Sequence, residues 1–420
     1  MNMQGSGEGF RKAITLRYAV ALYVSSVLGS GVLVLPGLAA KIAGPGSLVA
    51  WILLSVASYP FAYTFASLSA RKPESGGVYA FAKESLGQNV ASMTGWLFAA
   101  WYITGAPAVT LIAASYLAFA FPMSRPEVFV VAGGIIFAAF AINYKGIVVS
   151  NKVQLAVVVS IVALLLATIV ASFHNVTLSN FSPFLPNGII PIGVSAALIF
   201  WSYLGYENVS NVAEEFENPK RDFHRSIMLS IIIVSALYVS VAVMTVGTLA
   251  YKAGGSVAPF AAILSNVLGI YGAPGTAILA VIIIFSTVNA YMTGMSRVIY
   301  STAKDGGFPK YFANVDRRTG APNRSLTLLS GFAFSVIGLF YFLNVDLETA
   351  LLIPSGAAIM VYVIGSVAGI KLLKGRRGGK ILPWISLAIS LAILPFVGVL
   401  ISVTLVFAVL GLTYSKISQR

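Results

Sequence analysis

The sequence predicts an all-α membrane protein with about twelve transmembrane helices, each near the ~20 residues that cross a bilayer. Three observations predict it. Of 420 residues, 58% are hydrophobic and only 10% charged, where a soluble domain carries roughly 25% charged residues. The apolar residues come in long blocks. The basic residues fall between those blocks, and mostly in every second gap. A chain this apolar cannot cover its own surface with polar groups, so lipid is its solvent. Backbone in hydrocarbon must be satisfied within a helix or a closed barrel. Runs such as Ser230–Leu249 lack the alternation of barrel strands, which leaves helices.

Spans are expected near residues 14–41, 47–70, 91–121, 126–143, 149–173, 189–213, 225–250, 274–300, 324–343, 347–371, 381–396 and 398–415. The last two are short, and a single re-entrant unit is the other reading of them. Threading the spans from an inner N-terminus leaves only Lys41, Arg125 and Lys252 of the 27 Lys and Arg residues outside. The rest cluster inside, as at Arg71-Lys72, Arg317-Arg318 and Lys371–Lys380. That bias follows the positive-inside rule, so both termini are expected in the cytoplasm of a multi-pass cell-membrane protein. It also explains the net charge of +14 without a nucleic-acid partner, and it sets basic side chains beside anionic lipid headgroups. Arg11, Lys12 and Arg17 ahead of an apolar run imitate a signal peptide, but the run is too long and Gly29-Ser30-Gly31 interrupts it. The chain has no cysteine, which excludes disulfides, thiolate metal sites and cysteine nucleophiles.

Spans one to five and six to ten form blocks of similar size, residues 1–173 and 189–371, with residues 381–415 as two further helices. Both first members carry a polar break: Gly29-Ser30-Gly31 and Gly205-Tyr206-Glu207-Asn208. Val78, Phe81 and Ala82 after span two reappear as Val257, Phe260 and Ala261, and Leu86-Gly87 as Leu268-Gly269. Five is odd, so the second copy must be inverted. This 5+5 inverted repeat, with discontinuous helices 1 and 6, is a transporter plan with its site near the midplane.

In the first break, two glycines around Ser30 lower helix propensity by about 1 kcal/mol each. Unwinding there frees N–H groups at the start of the outer half-helix and carbonyls at the end of the inner one. The N–H groups of Ser30, Gly31 and Val32 suit a carboxylate at the positive end of a helix dipole. The carbonyls of Val27 and Leu28 suit an ammonium or a cation. Small residues also form helix-packing faces in membranes, so this run alone fits either use. In the second break, Glu207 is the one acidic residue placed deep in a span. A carboxylate there is a gating or proton-sensing candidate, and equally a tie between helices. Trp201 and Tyr203 offer flat surfaces to a substrate side chain or to neighbouring helices.

Five runs together carry a resemblance: GSGVLVLPG, PESGGVYAFAKESLG, WSYLGYE, EEFENPKRDFHRSI and SRVIYSTAKDGGFP. The chain resembles the amino acid–polyamine–organocation (APC) superfamily, nearest to prokaryotic amino-acid antiporters and exporters. The resemblance implies the LeuT-type fold and places the substrate α-carboxylate on Ser30 and Gly31. It implies that carbonyls of Val27, Trp201 and Leu204 hold the α-amine. Trp201 and Tyr203 would line or gate the pocket, and Tyr291 would stand where an antiporter has a pocket tryptophan. Residues 217–221 would form an amphipathic cytoplasmic stretch with a structural or gating role. Proton-coupled relatives carry a lysine in span five, where this chain reads Val157-Val158-Val159-Ser160-Ile161. His174 and His224 fall at span ends. Ser286-Thr287 match the hydroxyl pair of sodium-coupled relatives, although hydroxyls in helices commonly bond back to their own backbone.

Catalytic and nucleotide motifs such as HExxH, GxSxG and the P-loop are absent, so no enzyme, metal or cofactor is expected. Channels repeat charged or carbonyl rings by symmetry, and these two breaks are unlike each other. The expected function is secondary active transport of a neutral, apolar amino acid by alternating access, as an antiporter or exporter. Coupling to H⁺ or Na⁺, or a cationic amino acid or polyamine substrate, is the alternative. A channel or an amino-acid sensor ranks lower. Oligomeric state is left open.

Overall fold

The computed structural model describes residues 15–71, 77–146, 151–205, 219–252, 254–316, 318–375 and 378–418. Among these residues every regular element is helical and none is a strand. Nine helical stretches among the described residues are long and apolar enough to cross a membrane. The longest run helices together across short turns, as Gly31–Ser69 and Leu382–Ser418 do. This confirms the helical membrane class and leaves the count of twelve as an expectation.

The first span is two helices, α1 (Leu16–Val27) and α2 (Gly31–Ala43). Leu28 to Ser30 between them are not helical. α2 stops at Gly44, whose φ of 60° suits a residue without a Cβ. A three-residue 3₁₀ turn then leads into α3 (Ser47–Arg71). α4 (Val78–Leu86) is a short helix, and α5 (Gln88–Ala120) is the central pillar, with 33 residues. α6 (Arg125–Tyr144) and α7 (Asn151–Ser172) follow. The segment expected as span six opens with α8 (Ile190–Ile199), tightens into a 3₁₀ turn over Phe200–Tyr203, and becomes extended at Leu204 (ψ 153°). Gly205 follows with a φ of 123°. Tyr206 to Asn218, with Glu207 and most of the 217–221 stretch, lie outside the described residues.

α9 (Pro219–Gly247), α10 (Pro259–Leu268) and α11 (Gly272–Lys304) come next. α12 (Asn323–Phe342), α13 (Leu347–Leu372), α14 (Leu382–Ile393) and α15 (Ile401–Ser418) end the fold. The two connections that the sequence pairs are the same kind of element. α4 and α10 are short helices, and each ends on a positive-φ glycine, Gly87 and Gly269.

α5 packs along α11, α13 and α15. Small residues set the spacing, as helix contacts in lipid require. A Cβ on Gly95 would lie 2.7 Å from the Thr302 side chain, and one on Gly411 would lie 2.8 Å from the Met93 backbone. No Asp, Glu, Lys, Arg or His among the described residues is buried. Buried Ser and Thr hydroxyls mostly donate one turn back, as Thr104 does to Ala100 and Thr168 to Leu164. A larger network joins α6 to α11: Asn143 donates to Asn289 at 2.8 Å, and Thr293 donates to Asn143 at 2.5 Å. Val159, Leu166 and Val170 lie exposed along one side of α7, a face fit for lipid.

α4 is pinned to the tail of α11. Lys83 meets the Asp305 carboxylate at 2.7 Å and Tyr79 donates to the same oxygen at 3.1 Å. Gln88 donates to the Asp305 carbonyl at 3.3 Å. Burial, reinforced by the Asp305 charge, pushes the Tyr79 phenol up to about 12, so it remains a donor at ordinary pH. Asp305→Ala is expected to speed amide exchange in α4 about fivefold, as for a loss of roughly 1 kcal/mol. Hydrogen-exchange mass spectrometry of residues 78–86 checks this, and unchanged protection there would contradict the pin.

Candidate substrate site between the two broken helices

The site forms where the two interruptions meet. Gly31 is the first residue of α2, and span six packs directly on its bare Cα. A Cβ on Gly31 would come within 2.8 Å of Ser202 Oγ and 3.0 Å of Trp201 Cδ1. The first N–H groups of a helix have no acceptor within it, so those of Gly31 and Val32 are available to a ligand. Ser30 precedes them as the N-cap residue and its side chain makes no cap bond.

Trp201 connects this break to a pocket. One edge of the indole lies on Gly31, and the far edge, at Cη2, lies 2.8 Å from where a Gly105 Cβ would be. Beyond the ring is a small, partly open pocket. Its walls are α5, the 3₁₀ turn of span six and α11. Trp101, Trp201 and Tyr291 form an aromatic wall. Trp101 meets Trp201 edge-on at 6.0 Å and Tyr291 at 6.1 Å. Ala106, Val109, Val288 and Met295 add an apolar lining. No charged side chain lines it among the described residues. The Thr287 hydroxyl reaches the pocket and donates to its own helix at Ile283, 2.9 Å away. Ser286 beside it is partly exposed and is not in the lining.

The structure therefore brings Ser30, Gly31, Val32 and Trp201 together, with Tyr291 and Thr287 on the opposite wall. Tyr203 is placed elsewhere. Its ring lies 6.2 Å from Trp51 and 5.3 Å from Tyr238, and its hydroxyl lies 2.7 Å from Ser55 Oγ. The Val27 carbonyl already accepts the Gly29 N–H at 2.7 Å, and the Trp201 carbonyl accepts that of Leu204 at 3.4 Å. His174 is exposed beyond the end of α7.

Two residues the sequence reading passed over shape the junction. The Tyr238 hydroxyl on α9 lies 2.9 Å from the Val27 carbonyl and 3.1 Å from that of Ser202, sharing one proton between the broken spans. Ser202 points its hydroxyl at Gly31. A lone tyrosine or serine in an apolar run gives no signal of either contact. Tyr238→Phe keeps the edge-on packing against Trp51 and deletes only the hydroxyl. It is expected to lower stability by about 1–3 kcal/mol, since two buried carbonyls lose a donor. A denaturation curve checks this, and an unchanged midpoint would contradict the tie.

A helical membrane protein with interrupted helices meeting beside a small pocket is built as a solute transporter. The amino acid permease family profile matches residues 14–417, so the chain belongs to that family and is a transporter rather than an enzyme. It is 33% identical over 370 residues to the uncharacterized amino acid permease YecA of Bacillus subtilis, covering 87% of this chain and 86% of the relative. It is 30% identical over 373 residues to the L-methionine/branched-chain amino acid exporter YjeH of Escherichia coli, covering 88% of each. It is 27% identical over 355 residues to the mitochondrial cationic amino acid transporter 3 of Arabidopsis thaliana, covering 78% of this chain and 58% of the relative.

Proposed function

We propose that this permease carries neutral, apolar amino acids across the cell membrane by alternating access, as an exchanger or exporter. The observation that carries the reading is the pocket lining. Among the described residues its aromatic and aliphatic walls offer no counter-charge for an ionic side chain, while the adjoining break offers free N–H donors for a carboxylate. One zwitterion carries a group suited to each: a carboxylate for Ser30 and Gly31, and a side chain for the pocket beyond Trp201. The ammonium goes to the carbonyls of Val27, Trp201 and Leu204, with Tyr238 releasing Val27 and keeping Ser202. The name of the Escherichia coli relative agrees with this choice of substrate.

In this reading residues 1–173 and 189–371 are two inverted repeats that move against each other around the site, both termini face the cytoplasm, and Glu207 gates. Ser286 and Thr287 are the candidate sodium ligands if the cycle is ion-coupled. A second reading rests on the aromatic wall, because three rings can hold a guanidinium or ammonium by cation–π contact. The name of the Arabidopsis relative fits that alternative.

A thermal-shift screen of the twenty amino acids and common amines on purified protein separates the two readings. A ligand at ~100-fold excess over its dissociation constant stabilises by about 2.7 kcal/mol. Leucine, isoleucine, valine or methionine should raise the melting temperature. A response confined to arginine, lysine and amines would overturn the neutral reading.

A further inference from the structure

Two buried hydroxyls next to Gly31 lack a partner. Ser30 and Ser202 are 1% and 2% exposed, and neither Oγ has a hydrogen-bond partner among the described residues. A buried hydroxyl left unpaired is unfavourable. Many buried serines here donate to a carbonyl four residues back, as Ser172, Ser355 and Ser366 do. Ser30 and Ser202 are instead both neighbours of Gly31, one in sequence and one in space. Ser30 precedes the 13-residue helix α2. Ser202 arrives from span six, its Oγ 2.8 Å from where a Gly31 Cβ would be. Only a glycine admits the hydroxyl so close to the start of that helix.

We propose that Ser202 is a substrate-binding residue whose hydroxyl donates to the α-carboxylate from the span-six side. Ser30 and the N–H groups of Gly31 and Val32 donate from the span-one side. This rests on the reading that the substrate is an amino acid. The chemistry suits the group. A carboxylate accepts several donors at once, and hydrogen bonds to a charged acceptor are about twice as strong as neutral ones. A carboxylate held this way bridges both broken spans. Its arrival draws span six onto span one, which an amine without a carboxylate cannot do.

The test is Ser202→Ala in the full-length purified protein, with L-leucine, L-methionine and isoamylamine (leucine without its carboxylate) as titrants. Calorimetry should show leucine and methionine binding weakened about tenfold, as loss of a charge-assisted hydrogen bond predicts. Any binding of isoamylamine should be unchanged by the substitution. The melting temperature of the ligand-free protein should stay level or rise, because an unpaired hydroxyl has been removed. Unchanged leucine and methionine affinity would overturn the proposal and leave the transport reading standing. So would weaker binding matched by a lower ligand-free melting temperature, which would mark Ser202 as structural. A wild-type protein that binds neither amino acid would overturn the transport reading and this inference together.

Discussion

Gly31→Val is expected to abolish transport while the protein remains folded. Carbon contacts are ordinary at about 3.5–4.0 Å. A Cβ at position 31 would instead lie 2.8 Å from Ser202 Oγ, 3.0 Å from Trp201 Cδ1 and 3.1 Å from Leu35 Cδ1. The serine hydroxyl can rotate away, but the indole cannot, because Gly105 confines its far edge. Two further methyls force the broken spans apart at the point where the carboxylate is to be held. They also cover the free N–H groups of α2. The rest of the core does not depend on this contact, since α5, α11, α13 and α15 pack against one another elsewhere. Uptake in proteoliposomes should fall by about 100-fold or more, equivalent to ~2.7 kcal/mol of lost substrate affinity. A monodisperse, cooperatively melting variant with wild-type uptake would remove this break from the site.

Trp201→Ala should have the second largest effect. The indole is at once the partition between break and pocket and one face of the aromatic wall. Truncating a tryptophan packed among aromatics removes roughly 3–5 kcal/mol when it is fully buried. Trp201 is only partly buried, so about half of that is expected in stability. Affinity should fall by about 50- to 100-fold, because the substrate side chain loses a wall and water enters beside Gly31. Trp201→Phe restores a ring without reaching Gly105 and should recover part of the affinity. Half-saturation in a thermal-shift titration measures all three proteins. Equal affinities would exclude Trp201 from the pocket.

The sequence showed where the chain breaks more clearly than what faces the breaks. Gly29-Ser30-Gly31 cannot hold a helix firmly, and the structure leaves residues 28–30 unwound. The Trp201–Leu204 run likewise passes from a 3₁₀ turn into extended chain. Tyr291, like Trp201, lines the pocket and packs against Trp101. Tyr203 was harder to read, because residues two apart on a helical turn point to different sides. With Trp201 facing the pocket, Tyr203 turns toward Trp51. Ser202, between them, faces Gly31. Such directions depend on the turn's rotation, which composition does not record. Tyr238 contributes through contacts with two distant carbonyls, which leave no trace in its neighbours in sequence. The likeness of residues 257–269 to 78–87 was legible in the sequence, but the helix there was not, because the ten residues of α10 are too few for a span.

One measurement addresses the junction directly: the anomalous signal of L-selenomethionine bound to crystals of the protein. The account places the selenium in the pocket between Trp101, Trp201 and Tyr291, with the ligand's carboxylate density reaching Ser30, Gly31 and Ser202. A selenium peak away from these residues, or a carboxylate seated on the far side of Trp201 from Gly31, would contradict it.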